Sequence, residues 1–234
     1  MAGTANIPGD SFENLTRETI DDHLVECLRP GGGTRPALLL IEDRRRRAIV
    51  KDYRPSGWLM RRVFGPWLIA REQHIYLTLR DAPGVPRLVG SLDRHALVVE
   101  YVQGRPCSDY PEGGLPMSFF ERLETVVNGI HERGVVHCDL KNRSNIVVAD
   151  GLQPFIVDFA SAFTSTGWLR PLRRLAFERF REDDRRAVVK ARMLVGGVRS
   201  EEDERLVRHR SPAERVVRAI RDGARWLFQL LGRL

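Results

Sequence analysis

Residues 137–145, HCDLKNRSN, set a run of ionisable and hydrogen-bonding side chains between the apolar runs Val135-Val136 and Ile146–Val148. Asp139 is a carboxylate able to take a proton, Lys141 is a cation two residues on, and Asn142, Ser144 and Asn145 offer neutral oxygens. A loop tip could be this polar. So could a place where a charged group is handled out of bulk water, and the apolar flanks on both sides favour the second reading.

The elements that must position these groups follow from pattern. LVECL (24–28), ALLLIE (37–42) and AIVKDY (48–53) read as a strand meander, with RPGGGTRP (29–36) as a Gly/Pro turn. Helical spacing runs through 58–81 by way of Leu68, Ile69, Ile75, Leu77 and Leu79, with a break or restart at Gly65-Pro66. RLVGSLD and ALVVEYV (96–102) are two further strands. The Gly- and Pro-rich segment 103–116 is the candidate lobe boundary. Beyond it, 117–134 is a helix between Pro116 and Gly134, FIVDFA (155–160) is a strand, and the chain from 168 onward is helical. Strands with one helix, then mostly helix, predict an α+β chain of two lobes. The predicted division is 1–103 as a β-rich lobe, 104–116 as a hinge or linker, 117–212 as a mostly helical lobe, and 213–234 as a basic amphipathic C-terminal helix.

The chain has 234 residues, 42% hydrophobic and 29% charged, which is globular composition and room for two small cores. Its net charge is +7, and residues 165–234 alone hold 18 Lys/Arg against 10 Asp/Glu, so the whole basic excess lies in the last third. That excess suits an anionic partner such as a membrane surface, or simply solvated helix faces. It lacks a recognisable nucleic-acid motif, and no nucleic acid is expected. Cys27, Cys107 and Cys138 show no metal-ligand spacing and no disulfide framework, as expected in a reducing, cytoplasmic compartment. The first residues lack the basic and apolar regions of a signal peptide, and the longest apolar runs are too short to span a bilayer.

His137-x-Asp139-Leu-Lys141, then Asn145, then a strand ending Asp158-Phe159-Ala160, resembles the protein-kinase-like superfamily. AIVK ending at Lys51 matches the lysine strand of that superfamily, and Glu72 follows in the next helix at a fitting distance. The resemblance covers roughly 24–195 and implies a bilobal kinase-like fold using ATP and Mg²⁺. By resemblance, Asp139 would accept or orient the acceptor hydroxyl's proton, with Lys141 near the transferring phosphate. Asp158 and Asn145 would be the metal ligands. Lys51 would meet the α- and β-phosphates, held by Glu72, with Asp81 the other helix carboxylate available. Gly31, Gly32 and Gly33 stand where the family's phosphate loop belongs, without its full glycine pattern. Glu100 and Val102, in the EYV segment, would contact adenine. His137 would serve as scaffold, bonding to backbone near Asp158.

Two departures stand out. Five residues separate Asp139 from Asn145 where the family usually has four, so either the loop bulges or Asn142 or Ser144 shares the metal role. The third residue of the Asp-Phe-Gly motif is Ala160, whose Cβ would make a positive φ costly there and restrict flipping of the segment. No Ala-Pro-Glu and no long activation segment follow. In this the chain resembles the compact bacterial types, the RIO-type and the lipopolysaccharide (Kdo/WaaP-like) kinases. The expected acceptor is a hydroxyl on a membrane glycolipid such as a lipopolysaccharide core sugar, with serine or threonine of a protein as the alternative that Lys141 supports. An ATP-binding pseudokinase module is the third. In the tail, Val216, Val217, Ile220, Ala224, Leu227, Leu230, Leu231 and Leu234 share one helical face flanked by arginines. Such a helix either lies on an anionic membrane or packs on the C-terminal lobe.

Overall fold

The structure, a computed structural model, describes Phe12, residues 15–165, residues 170–197, Ser200, Glu201 and Asp203. The expected tail helix, 213–234, lies outside the described residues. The described chain falls into two compact units: residues up to Gln73 with Arg87–Tyr101, and His74–Pro86 with residues from Val102 onward.

The first unit is built on one antiparallel sheet. Strands β1 (Leu24–Arg29), β2 (Ala37–Asp43), β3 (Arg46–Asp52), β4 (Leu88–Asp93) and β5 (Ala96–Glu100) lie in the order β1-β2-β3-β5-β4. Alternation along the strands sends Ile41, Ala48, Val50, Ala96 and Val98 to one face, where they bury against Ile20 of the short 3₁₀ turn Ile20–His23. The segment before that turn is also fastened by charge. Arg17 grips Asp52 through both terminal nitrogens, and its Nε donates to Asp93 at 3.0 Å. Arg54 reaches Asp93 at 2.7 Å from the other side. Burial works to raise Asp93, but the hydrogen bonds from Arg17 and the His95 N–H, together with the Arg17 and Arg54 charges, outweigh it and bring the carboxyl down to about 2.

Helix α1 (Gly65–Thr78) follows a π-type turn, Met60–Phe64, in which the Gly65 N–H reaches back to the Met60 carbonyl. Pro66 has no N–H to continue a ladder from upstream, so the α-helix proper starts at this point, as the sequence suggested. Ile69, Glu72, Ile75, Tyr76 and Leu79 are buried, whereas Leu77, read as part of the apolar face, is exposed because it falls between the buried rows.

In the second unit, helix α2 (Met117–Glu132) buries Phe119, Phe120, Leu123, Val127 and Ile130 at helical spacing. Strands β6 (Gly104–Pro106), β8 (Ile146–Ala149) and β9 (Gln153–Ile156) make a small sheet in the order β6-β8-β9, and β7 (Val135–Val136) pairs with β10 (Phe163–Thr164). The predicted linker 103–116 therefore contains a paired strand and a 3₁₀ turn, Cys107–Asp109, and the division between units falls at Tyr101–Val102 instead. Its glycine serves close approach rather than flexibility, since a Cβ on Gly104 would lie 2.4 Å from the Val148 carbonyl oxygen. Helix α3 (Arg170–Val195) buries Phe177, Asp184, Ala187, Val188, Ala191 and Val195. Among the described residues no helix is long and apolar enough to cross a membrane.

Candidate functional site

In the first unit, strand alternation puts Lys51 on the face opposite Val50, and the helical register puts Glu72 on the buried row with Ile69 and Ile75. The two side chains meet. Lys51 Nζ donates to Glu72 Oε1 at 2.8 Å and to Oε2 at 3.0 Å, with Glu72 almost fully buried. Asp81, the other carboxylate considered, lies beyond the end of α1, is exposed, and sits beside Arg80 at 3.7 Å. Gly31–Gly33 form the turn between β1 and β2. Gly33 has φ +52°, and its carbonyl accepts the Gly57 N–H at 2.8 Å, tying the turn to the segment that enters α1. Glu100 ends β5, with its N–H donated to the Arg87 carbonyl and its carboxylate near the Arg87 guanidinium at 3.4 Å.

In the second unit, the polar run of 137–145 lies between β7 and β8. His137 is buried, and its Nε2–H donates to the Val157 carbonyl at 3.0 Å. That leaves Nδ1 to accept the Asp139 N–H at 3.3 Å. His137 thus ties the loop to the strand end that carries Asp158. Asn145 donates to the Asp139 carbonyl at 3.0 Å and lies 3.4 Å from an Asp139 carboxylate oxygen. The Asn145 carbonyl in turn accepts the Val157 N–H at 2.9 Å. Asp139, Asn145 and the Asp158 segment are therefore bonded into one frame.

The loop closes in a 3₁₀ turn, Arg143–Asn145, capped by the Asn142 side chain, which accepts the Ser144 N–H at 3.4 Å. Asn142 is exposed; besides capping the turn it donates to Asn145 Oδ1 at 3.4 Å, and Asn145 is buried beside Asp139. Lys141 is exposed on the same loop.

The Asp158 segment differs from the sequence expectation. The strand stops at Ile156, and Phe159–Ser161 form a single 3₁₀ turn. The left-handed residue is Asp158 itself, at φ 63° and ψ 71°, while Ala160 inside the turn has no positive φ. The Cβ of Ala160 therefore costs nothing, and the backbone strain sits on the exposed carboxylate. What fixes the segment is Phe159, fully buried with ring contacts to Tyr76 at 5.3 Å and to His137 at 5.0 Å.

One residue escaped sequence reasoning. Asp184 of α3 is buried, and its carboxylate accepts the N–H groups of His137 at 2.7 Å and Cys138 at 3.0 Å, and the His131 Nε2–H at 3.1 Å. Cys138 has φ 66°, so this carboxylate holds a left-handed residue immediately before Asp139. Its signal was present in the sequence: Asp184 occupies an apolar-face position three, four and seven residues ahead of Ala187, Val188 and Ala191. Near the loop, burial pushes the Cys107 thiol up to about 11, with the Arg143 charge opposing it, which leaves this thiol inert.

A five-stranded antiparallel sheet carrying a buried lysine–glutamate pair, with an aspartate–asparagine loop in a helical second unit, defines the protein-kinase-like class. The sequence profile of the family described as RIO domain matches residues 46–174, more than half of the chain. The chain belongs to the RIO domain family. Among solved structures, the Rio2 kinase from Chaetomium thermophilum matches with a TM-score of 0.54 at 16% identity, over 82% of this chain and 64% of that one. The chain thus spans just under two thirds of that structure, and the likeness is one of fold. No curated protein matches it.

Proposed function

We propose that the chain is an ATP- and Mg²⁺-dependent phosphotransferase acting on a hydroxyl acceptor. The observation that carries this reading is the Asp139–Asn145 frame, in which a carboxylate and a neutral amide are held together by the hydrogen bond from the Asn145 side chain to the Asp139 carbonyl. The donor chemistry fits the metal. Asp158 and Asn145 offer the hard oxygens that Mg²⁺ takes. When bound, Mg²⁺ would neutralise phosphate charge. Lys51, anchored by Glu72, would pair with the nucleotide phosphates, and the Gly31–Gly33 turn would offer backbone N–H groups to them. Asp139 would accept or orient the proton of the acceptor hydroxyl, and Lys141 would stand beside the transferring group. Glu100 and Val102 would receive adenine.

The favoured acceptor is a sugar hydroxyl of a membrane glycolipid. Only ten residues separate Phe159 from the first residue of α3, too few for a long peptide-binding platform. Protein serine or threonine is the second reading, favoured by Lys141. The test is incubation with labelled ATP and Mg²⁺, offering a membrane glycolipid extract and a generic protein substrate in parallel. Label in the glycolipid, absent with Asp158→Ala, supports the reading; label in protein alone moves the acceptor to the second. Nucleotide binding with no transfer to either and no hydrolysis would make the chain a pseudokinase.

A further inference from the structure

Between β3 and the middle of α1, the side of the chain facing away from the core is aromatic and basic. Trp58, Val63 and Trp67 are 66%, 52% and 57% exposed, three of the largest exposed apolar side chains described. Trp58 precedes the π-type turn by two residues, Val63 lies within it, and Trp67 and Arg71 follow at four-residue spacing along the α-helix. The Arg71 guanidinium lies 5.2 Å from the Trp67 ring. Arg61 and Arg62 are exposed within the same turn. Residues 54–71 hold four arginines and no acidic residue. The core-facing side of the same stretch is closed by Met60, Ile69 and Glu72, which are buried, and more than half of each side chain in the aromatic row faces solvent.

We infer that the Trp58–Val63–Trp67 face docks on an anionic lipid bilayer surface. Exposed tryptophans beside arginines match the chemistry of a lipid–water interface, where an amphipathic ring sits at headgroup depth and guanidinium groups meet lipid phosphate. Charge selects this occupant over the chain's own C-terminal segment, since residues 213–234 are themselves basic and would be repelled. It also disfavours a second copy of the same face, which would bring like charges together. The hydrogen bond from Gly57 to the Gly33 carbonyl places the glycine turn one residue from Trp58, so contact at this face would steady that turn. The inference shares only the bilayer with the proposed acceptor, and its test uses no nucleotide, so either can fail without the other.

The experiment is co-sedimentation of the full chain with phosphatidylcholine vesicles with and without about a third phosphatidylglycerol, at low and high salt. The intact chain is expected to bind the anionic vesicles in a salt-sensitive way. Arg61→Ser with Arg62→Ser should weaken binding about 25-fold, from roughly fivefold per arginine near a negative surface. Trp58→Ser with Trp67→Ser should weaken it at least as much, with melting temperature unchanged in both because these side chains are exposed. Vesicles should also blue-shift the tryptophan fluorescence of the intact chain, a shift diminished by Trp58→Phe with Trp67→Phe. Full binding by the variants would assign lipid contact to another part of the chain and overturn the inference. Absence of binding by the intact chain would do the same. So would a self-association lost in the tryptophan variant, or retention on polyglutamate lost in the arginine variant alone, the signs of a second copy and of an acidic protein partner.

Discussion

The Asp184 carboxylate accepts the backbone N–H of His137 at 2.7 Å, across 47 residues of sequence and entirely out of solvent. It fixes the loop by its backbone, so the side chains of Asp139, Lys141 and Asn145 are left to other work. Asp184→Ala leaves two loop N–H groups and the His131 ring without their acceptor. The expected cost is about 3 kcal/mol or more of stability, since buried donors are expensive to orphan. Urea denaturation checks this. Asp184→Asn should recover only part of the loss, because the amide carries one acceptor oxygen where the carboxylate uses both.

Lys51 and Glu72 should behave as a pair in stability and as individuals in binding. Lys51→Met strands a buried carboxylate and is expected to destabilise the first unit by about 3 kcal/mol, while Lys51→Met with Glu72→Leu should recover most of that. Both variants should lose nucleotide affinity alike if, as proposed, the lysine pairs with the phosphates. A double variant that binds ATP as the intact chain does would remove Lys51 from the phosphate site. A double-mutant cycle followed by denaturation and nucleotide titration separates the two effects.

Asp139→Asn should keep nucleotide binding and lower turnover by about 100-fold or more, as loss of a positioned base does. Asp158→Ala should abolish metal-dependent transfer outright. Unchanged turnover in Asp139→Asn would favour the pseudokinase reading.

Asn145→Ala should raise the Mg²⁺ concentration needed for half-maximal transfer more than Asn142→Ala does. The reason is positional: Asn145 is buried and bonded to Asp139, whereas Asn142 caps the turn and touches the site only through its 3.4 Å hydrogen bond to Asn145 Oδ1. Asn142→Ala should cost only the cap, about 1 kcal/mol. A larger Mg²⁺ defect in Asn142→Ala would reverse the assignment.

Acid should act on the Arg17 clasp. The Asp93 carboxyl, ordinarily near 3.8, is depressed to about 2 in the folded chain. The stability it contributes is therefore fully present above about pH 4 and lost as pH falls toward about 2, and it amounts to about 1 kcal/mol after solvent screening. Arg17→Ala should lower stability at neutral pH and flatten the dependence between those limits. Denaturation midpoints measured through the window decide it.

The elements with strong periodicity were legible. The strand meander, the break at Gly65-Pro66 and the 117–134 helix follow from patterns of two and of 3.6 that burial enforces. The Lys51–Glu72 meeting was implied by the family resemblance, with Asp81 left open, and the structure brings Lys51 to Glu72. What escaped depends on long-range contact. Segment 103–116 reads as a linker until β8 lies beside Gly104. Asp184 stands at an apolar-face position, but the loop N–H groups it serves are known only once the loop is folded against it. The strain expected at Ala160 belongs to Asp158, since a motif gives residue types and not the turn they adopt.

The packing of Phe159 bears on inhibitor design. Compounds that enter a kinase by displacing this aromatic ring would have to expose a fully buried phenylalanine and break its edge contacts with Tyr76 and His137. At about 2–3 kcal/mol for the burial and about 1 kcal/mol for each ring contact, the displaced form is rare enough to weaken such compounds by about a thousandfold. Screening against this chain should therefore return ligands that leave the ring in place.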